Sequence, residues 1–279
     1  MPWAPELFSA PLLARLEEKR QRKLEAVPYF DGLMAGEPEA LLGSFAAEPE
    51  LHVPVRGRVR GTRAFGDYFS ETSDWLKRHN VEVEDVGHVI AARHGFEEVV
   101  LHFDGEDGRA ELPVAVVADR RSDGRIEELR IYFSEWLRGG HHAHRPPLLQ
   151  PDPDLVESDV VGQFQAAVTA GDVDAIVATF EEDGFAREPA GGEFVHRGSA
   201  GLRAFYELLF SNGGGLELEH CAVIDDGRSC GLEYNLVRWG RTPMHPEAGF
   251  AVYARGPGGR LAAARIYDDA NPPVSSLGS

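Results

Sequence analysis

The feature that most constrains this chain is a phrase that occurs twice. Arg130-Ile131-Tyr132-Phe133 follows Gly124-Arg125-Ile126, and Arg265-Ile266-Tyr267-Asp268 follows Gly259-Arg260-Leu261. The offset is 135 between positions 130 and 265 and again between 124 and 259. That period is too long for a solenoid unit and has the size of a compact domain. Other markers recur in the same order. Phe30, Ala35-Gly36-Glu37 and Phe45 answer Phe164, Ala170-Gly171-Asp172 and Phe180, and Glu98 answers Glu233. The sequence therefore reads as one fold used twice.

The repeat sets the expected organisation of the 279 residues. The first copy spans 24–137 and the second 155–273, with an extension at 1–23, a linker at 138–154 and a tail at 274–279. In each copy helical spacing comes first and strands follow. In the second, Val156, Val160, Phe164, Ala167 and Val168 mark a helix over Leu155 to Ala170, which Gly171 stops, and Asp172 caps the next. A third helix follows Gly198, and four strands follow the Gly213-Gly214-Gly215 run, the last from Arg260 to Asp268. Helices followed by hairpin-linked strands predict an α+β fold with a mainly antiparallel sheet.

Bulk charge narrows the partners. A formal net charge of −18 disfavours nucleic acid and anionic membrane surfaces, both of which select basic patches. No apolar run reaches the length of a membrane span, and the first 16 residues, with Glu6 and several prolines, do not read as a signal peptide, so a cytoplasmic protein is expected. Glu17 to Lys23 reads as a solvated helix face. Cys221 and Cys230 flank the turn Ile224-Asp225-Asp226-Gly227 and are expected nearly opposite each other as reduced thiols. His141, His142 and His144 lie in the Pro- and Gly-rich linker, without the ordered ligand framework that zinc requires, and read as a solvated tract. No metal or cofactor is implied.

Each copy resembles the nuclear transport factor 2-like superfamily, which includes ketosteroid isomerase, limonene epoxide hydrolase and the SnoaL-type polyketide cyclases. The resemblance rests on Ala170-Gly171-Asp172, Phe180, Pro189, Gly198 and the closing strand that runs to Asp269. It implies two cystatin-like cone-shaped α+β barrels, each with helices packed on a curved sheet around a cavity. In dimeric relatives the outer sheet faces pack together, so the two copies are expected to form an intramolecular pseudo-dimer, compatible with a monomeric chain. Fold alone does not fix activity in this group.

The resemblance also locates candidate chemistry. The epoxide hydrolase and cyclase relatives carry a general-base carboxylate on the closing strand, and that position falls on Ile131 and Ile266 here. The epoxide hydrolases have an arginine and an aspartate where this chain has Tyr234 and Leu236, a second departure. Strand alternation puts Ala262, Ala264, Ile266 and Asp268 on one face, so Asp268 can replace the lost base. The second cavity is thus expected to hold Asp268, Tyr234, Arg187 and Arg238 as catalytic candidates, with Phe185, Leu236 and Ile266 on its walls. The first is expected to hold His52 with Val99, Leu101, Ile131 and Phe133. Each polar candidate has a plainer reading: Asp268 as a solvated strand end, the two arginines as surface ion-pair residues, His52 as a rim or core histidine.

A carboxylate on apolar walls beside a tyrosine and an arginine suits proton transfer next to a carbonyl, or the opening or closing of a ring. Two functions follow. One is a cofactor-independent isomerase, cyclase or hydrolase of a hydrophobic metabolite, acting in the second copy; few lysines with abundant Arg, Ala and Gly associate it with secondary metabolism. The other is a non-catalytic ligand-binding or scaffolding protein. On the opposite face of the closing strands, Arg130, Tyr132, Arg265 and Tyr267 are expected in a seam between the copies.

Overall fold

The structure, a computed structural model, describes residues 29–36, 38–91, 93–105, 108–136, 140–155, 157, 159–192, 194–269 and 273. The extension at 1–23, its charged face at 17–23 and the tail at 274–279 lie outside the described residues. In the first half the elements are α1 (Tyr29–Ala35), α2 (Pro38–Gly43), β1 (Glu50–Val53), β2 (Gly57–Arg60), α3 (Thr62–Arg78), β3 (Glu82–Ile90), β4 (His94–Gly105), β5 (Gly108–Arg120) and β6 (Ile126–Tyr132). The second half has α4 (Val160–Ala170), α5 (Val173–Ala178), β7 (Phe180–Arg187), β8 (Val195–Arg197), α6 (Gly198–Leu209), β9 (Leu216–Asp225), β10 (Ser229–Trp239), β11 (Thr242–Arg255) and β12 (Leu261–Ile266).

Two six-stranded sheets result, ordered β2-β1-β6-β5-β4-β3 and β8-β7-β12-β11-β10-β9. The second order is the first with six added to each strand number. Each sheet is mixed: β1 runs parallel to β6 and β7 parallel to β12, while the other pairs are antiparallel. Helices cover one face of each sheet and close a core against it. This is the expected α+β architecture of two helix-covered curved sheets.

Local signals explain the second half's helices. The Asp159 side chain accepts a hydrogen bond from Val161 N at 2.9 Å, so α4 begins at Val160 rather than at Leu155 as its apolar spacing suggested. Gly171 ends it in the left-handed region at φ 71°, and a Cβ there would lie 2.9 Å from the Gly214 carbonyl carbon. Asp172 then caps α5 through Ala175 N at 3.0 Å. The segment Thr242 to Glu247, whose path was not legible in the sequence, is the first part of β11. It pairs with β10 from Trp239 opposite Thr242 onward.

The uncovered faces of the sheets meet in a third apolar cluster. Val89, Phe96, Ala115, Val117 and Tyr132 from the first half pack with Ile224, Phe250, Val252 and Tyr267 from the second. Phe96 meets Phe250 edge-on at 5.4 Å, and Tyr132 stacks on Phe250 at 5.5 Å. Tyr132 and Tyr267 are each 1% exposed, as the seam expectation requires. Charged groups complete it. Arg130 donates to Glu233, which also accepts from Tyr132 Oη, while Arg265 donates to Glu98, which also accepts from Tyr267 Oη.

Two expectations about connecting features need correction. The linker is exposed over most of its described part, as expected, but it is not solvated throughout. Arg145 is buried, its guanidinium lies 4.3 Å from the Tyr132 ring centre, and it donates to the carbonyls of Ile131 and His52. His142 Nε2 sits 3.1 Å from Glu247 Oε1. Nor do the cysteines face each other. Cys230 pairs with Asp225, whereas Cys221 lies at the register shift opposite Glu233 and Tyr234, several residues along the ladder.

Candidate functional site

Each half encloses a cavity between its helices and the inner face of its sheet. The second-half cavity is about 100 Å³ and mostly apolar. Ile266 and Asp268, two residues apart at the end of β12, both reach it, as do Tyr234 and Leu236 from β10. Within it Tyr234 Oη donates to Asp268 Oδ2 at 2.8 Å. Tyr234 is buried, and its phenol pKa is raised well above the ordinary value, first by loss of hydration and then by the Asp268 charge. The phenol therefore stays protonated and holds the carboxylate by a donated hydrogen bond.

Other groups in this cavity were not singled out in the sequence. Tyr253 and Tyr206 contribute phenols whose pKa values burial raises. Glu188, 2% exposed, bonds His196 Nε2 at 2.9 Å and supplies a second carboxylate. Gln165 of α4 is buried; its side chain reaches Tyr253, yet its amide nitrogen lacks a partner of hydrogen-bond geometry. One sequence signal pointed here: Gln165 interrupts an otherwise apolar helix stripe. Tyr253 is placed only by the register of β11, which sets it opposite Ala264 on the cavity face of β12.

The remaining second-half candidates do not enter the cavity. Arg187 pairs with Arg265 in the β7–β12 ladder and so shares its outer face. Its guanidinium lies 4.9 Å from the Tyr267 ring centre, in the seam, and its Nε and Nη2 make no hydrogen bond. Phe185, two residues earlier on the same face, carries Arg197 over its ring at 4.5 Å. Arg238 is turned aside by a register shift between Leu236 and Arg238, and it bonds Glu217 Oε2 at 2.8 Å and the Gly240 carbonyl at the rim. Among the described residues no arginine lines this cavity.

The first-half cavity is larger, about 550 Å³. Leu101, Ile131 and Phe133 line it as expected, while Val99 packs within the core. His52 does not line it. Its register partner is Arg130, so it belongs to the outer face, where Nε2 lies 3.5 Å from Glu50 Oε1 and 3.6 Å from Glu128 Oε1. The cavity's polar groups come from elsewhere. Tyr29 and Tyr68 share a hydrogen bond through their hydroxyls, and Arg56 forms an ion pair with Glu71.

Among the described residues two clusters bring three ligand-type atoms together: Glu50, His52 and Glu128, and Glu157, Asp225 and Cys230. Arginines already pair with carboxylates in each. Arg58 bonds Glu50 at 2.6 Å, Arg130 bonds Glu128 at 2.9 Å and Arg255 bonds Asp225 at 2.7 Å. Such pairing competes with a cation.

Residues 161–266 match the SnoaL-like domain. The match covers the lining of the second-half cavity, including Tyr234 and Leu236 on β10 and Ile266 at the end of β12, except for Asp268, which lies two residues beyond it. No curated protein matches the chain. Solved structures similar to it include a cystatin-fold protein from Novosphingobium aromaticivorans, 20% identical, covering 38% of this chain and 93% of that one at a TM-score of 0.33. Another is an NTF2-like protein from Cytophaga hutchinsonii, 16% identical, covering 46% of this chain and all of that one, also at 0.33. A third is SalBIII, an epoxide hydrolase/cyclase-like enzyme of pyran ring formation in the polyether salinomycin, 18% identical, covering 41% and 90% at 0.33. Among the described residues no helix is long and apolar enough to cross a membrane.

Proposed function

We propose that the SnoaL-like second half is an acid–base site for the reacting end of a small, hydrophobic metabolite, and that the two halves arose as copies of one domain. The observation that carries this reading is the 2.8 Å hydrogen bond from Tyr234 to Asp268 inside a small apolar cavity. Asp268 is the base. Tyr234 is a positioning residue, because its hydroxyl donates to Oδ2 and so orients the carboxylate in the cavity. A proton from a carbon next to a carbonyl moves to Asp268, the electron pair delocalises onto the carbonyl oxygen, and the same carboxyl returns the proton to another atom. That cycle is isomerisation without a cofactor. Where the enolate carbon first attacks a second carbonyl of the same molecule, a ring bond forms and the carboxyl returns the proton to the new alkoxide. Ring opening by water uses the same base.

Size limits the substrate. A void of 150 Å³ holds benzene, so a cavity of about 100 Å³ takes a small ring or one end of a larger molecule. The test is a panel of small ketones, lactones and epoxides incubated with the protein in D₂O and followed by proton NMR. At least one should exchange or convert, and Asp268→Asn should slow it by roughly 10²- to 10⁴-fold. An unchanged rate in Asp268→Asn refutes the assignment. Binding without conversion across the panel supports the non-catalytic reading instead.

A further inference from the structure

The two cavities divide room and chemistry unequally. The half with the Tyr234–Asp268 pair encloses about 100 Å³, whereas the other encloses about 550 Å³ and carries Val99 and Phe133 at the two corresponding strand positions. Drug-sized ligands occupy cavities of roughly 300–1,000 Å³. The larger cavity falls in that range, and it lies outside residues 161–266.

We propose that the first-half cavity is a separate, non-catalytic binding site for an uncharged, mainly apolar molecule with one hydroxyl or carbonyl end. Its depth is apolar: Leu101, Leu112, Val114 and Ile131 are each at most 5% exposed overall. An ionised ligand finds no net countercharge on the lining: Arg56 is neutralised by Glu71, and the remaining cation, the exposed Arg78, is balanced in sign by Glu135. The polar end meets the Tyr29–Tyr68 pair. Burial raises the Tyr29 pKa well above its ordinary value, so that phenol remains a neutral hydrogen-bonding group rather than an anion. Arg56 lies over the Tyr68 ring at 5.6 Å and fixes that wall. With isoleucine and phenylalanine where a carboxylate is needed, the site can hold a molecule but has no base at that position to move its proton.

The probe is N-phenyl-1-naphthylamine, which is neutral, fluoresces in apolar surroundings and is too large for the second-half cavity. Titrated into the full chain, it should bind with one-to-one stoichiometry. Ile131→Trp, which fills the cavity floor, should weaken binding at least 10-fold, with Asp268→Asn leaving it unchanged. Because a filled core can misfold, hydrogen–deuterium exchange of the unmodified protein with and without probe provides the second measurement. Slowed exchange should fall on 53–56 and 71–76. Absence of binding, undiminished binding by a folded Ile131→Trp, or protection confined to 232–239 overturns the proposal. None of these outcomes bears on Asp268 as a base, so the two readings fail separately.

Discussion

Arg130 and Glu233 grip each other through two parallel hydrogen bonds, Nε to Oε1 at 2.6 Å and Nη2 to Oε2 at 2.9 Å, although 103 residues separate them. Arg265 and Glu98 do the same at 2.7 and 2.6 Å. Position 265 is 130 + 135, and 233 is 98 + 135, so the contacts are exchanged as across a two-fold axis. Ser134 Oγ even donates to Asp269, its own counterpart at the same offset, at 2.7 Å.

The first prediction concerns this buried charge. Burial works against the Arg130 cation, but Glu233 and Asp119 outweigh it and raise its pKa well above the ordinary value. Removing Glu233 takes away the fully buried partner of Arg130 and leaves it only the part-exposed carboxylates of Asp119 and Glu128. Glu233→Ala should therefore cost about 3 kcal/mol, read from urea unfolding. Replacing Arg130 and Glu233 together with methionine should recover much of that loss. Equal losses in the single and double variants would show that the pair contributes nothing as a pair.

This seam also shows how far the sequence reaches. The alternation on β12 separated Ile266 and Asp268 from Arg265 and Tyr267, because side-chain period 2 holds along an unbroken strand. It failed on β10, where a register shift between Leu236 and Arg238 breaks the period. Arg187 and His52 were assigned to the wrong face for another reason: β1 and β7 are short, and the parity of a short strand is not anchored until its register with β6 or β12 is known. Glu98 and Glu233 were visible as repeated residues, but a buried carboxylate becomes interpretable only once its arginine is placed across the seam. Cavity size was not legible, since it depends on how α3 and α6 sit over their sheets.

Tyrosine ionisation gives a second prediction. Tyr29, Tyr132, Tyr206, Tyr234, Tyr253 and Tyr267 all have raised pKa values, with burial as the leading cause in each. The folded state then binds more protons than the unfolded state above pH of about 10, so stability falls as pH rises through that region. Ultraviolet difference titration should show at most one of the seven tyrosines ionising before the chain unfolds, and the other six ionising with unfolding. Several phenolates in a chain still folded by circular dichroism would contradict the packing.

The thiols give a third. Burial pushes the Cys221 thiol up to about 11 and raises Cys230 further. At pH 8 both are therefore thiols rather than thiolates, and Cys230 is also fully buried. A disulfide-exchange reagent should modify neither within minutes in the native protein and both in denaturant. No Cys221–Cys230 disulfide should form under mild oxidation, because their positions in the β9–β10 ladder keep them apart.

The last prediction ties packing to chemistry. Gly249 pairs with Tyr234 across β10 and β11, and a Cβ at 249 would lie 2.4 Å from the Tyr234 ring carbon Cε2. No real Cβ tolerates that approach, so in Gly249→Ala the ring must move. Overpacking of this kind costs about 1–3 kcal/mol. The displaced phenol also draws its hydroxyl away from Asp268, which then loses the donor that orients it. Gly249→Ala should accordingly be less stable in thermal unfolding and, where the D₂O assay finds a substrate, slower in proton transfer. Tyr234→Phe should not rescue stability, because the ring remains. Tyr234→Leu should restore part of it while leaving proton transfer impaired, since the smaller side chain relieves the clash without supplying a donor. Full activity in a folded Gly249→Ala would mean that the Tyr234–Asp268 geometry does not govern the reaction.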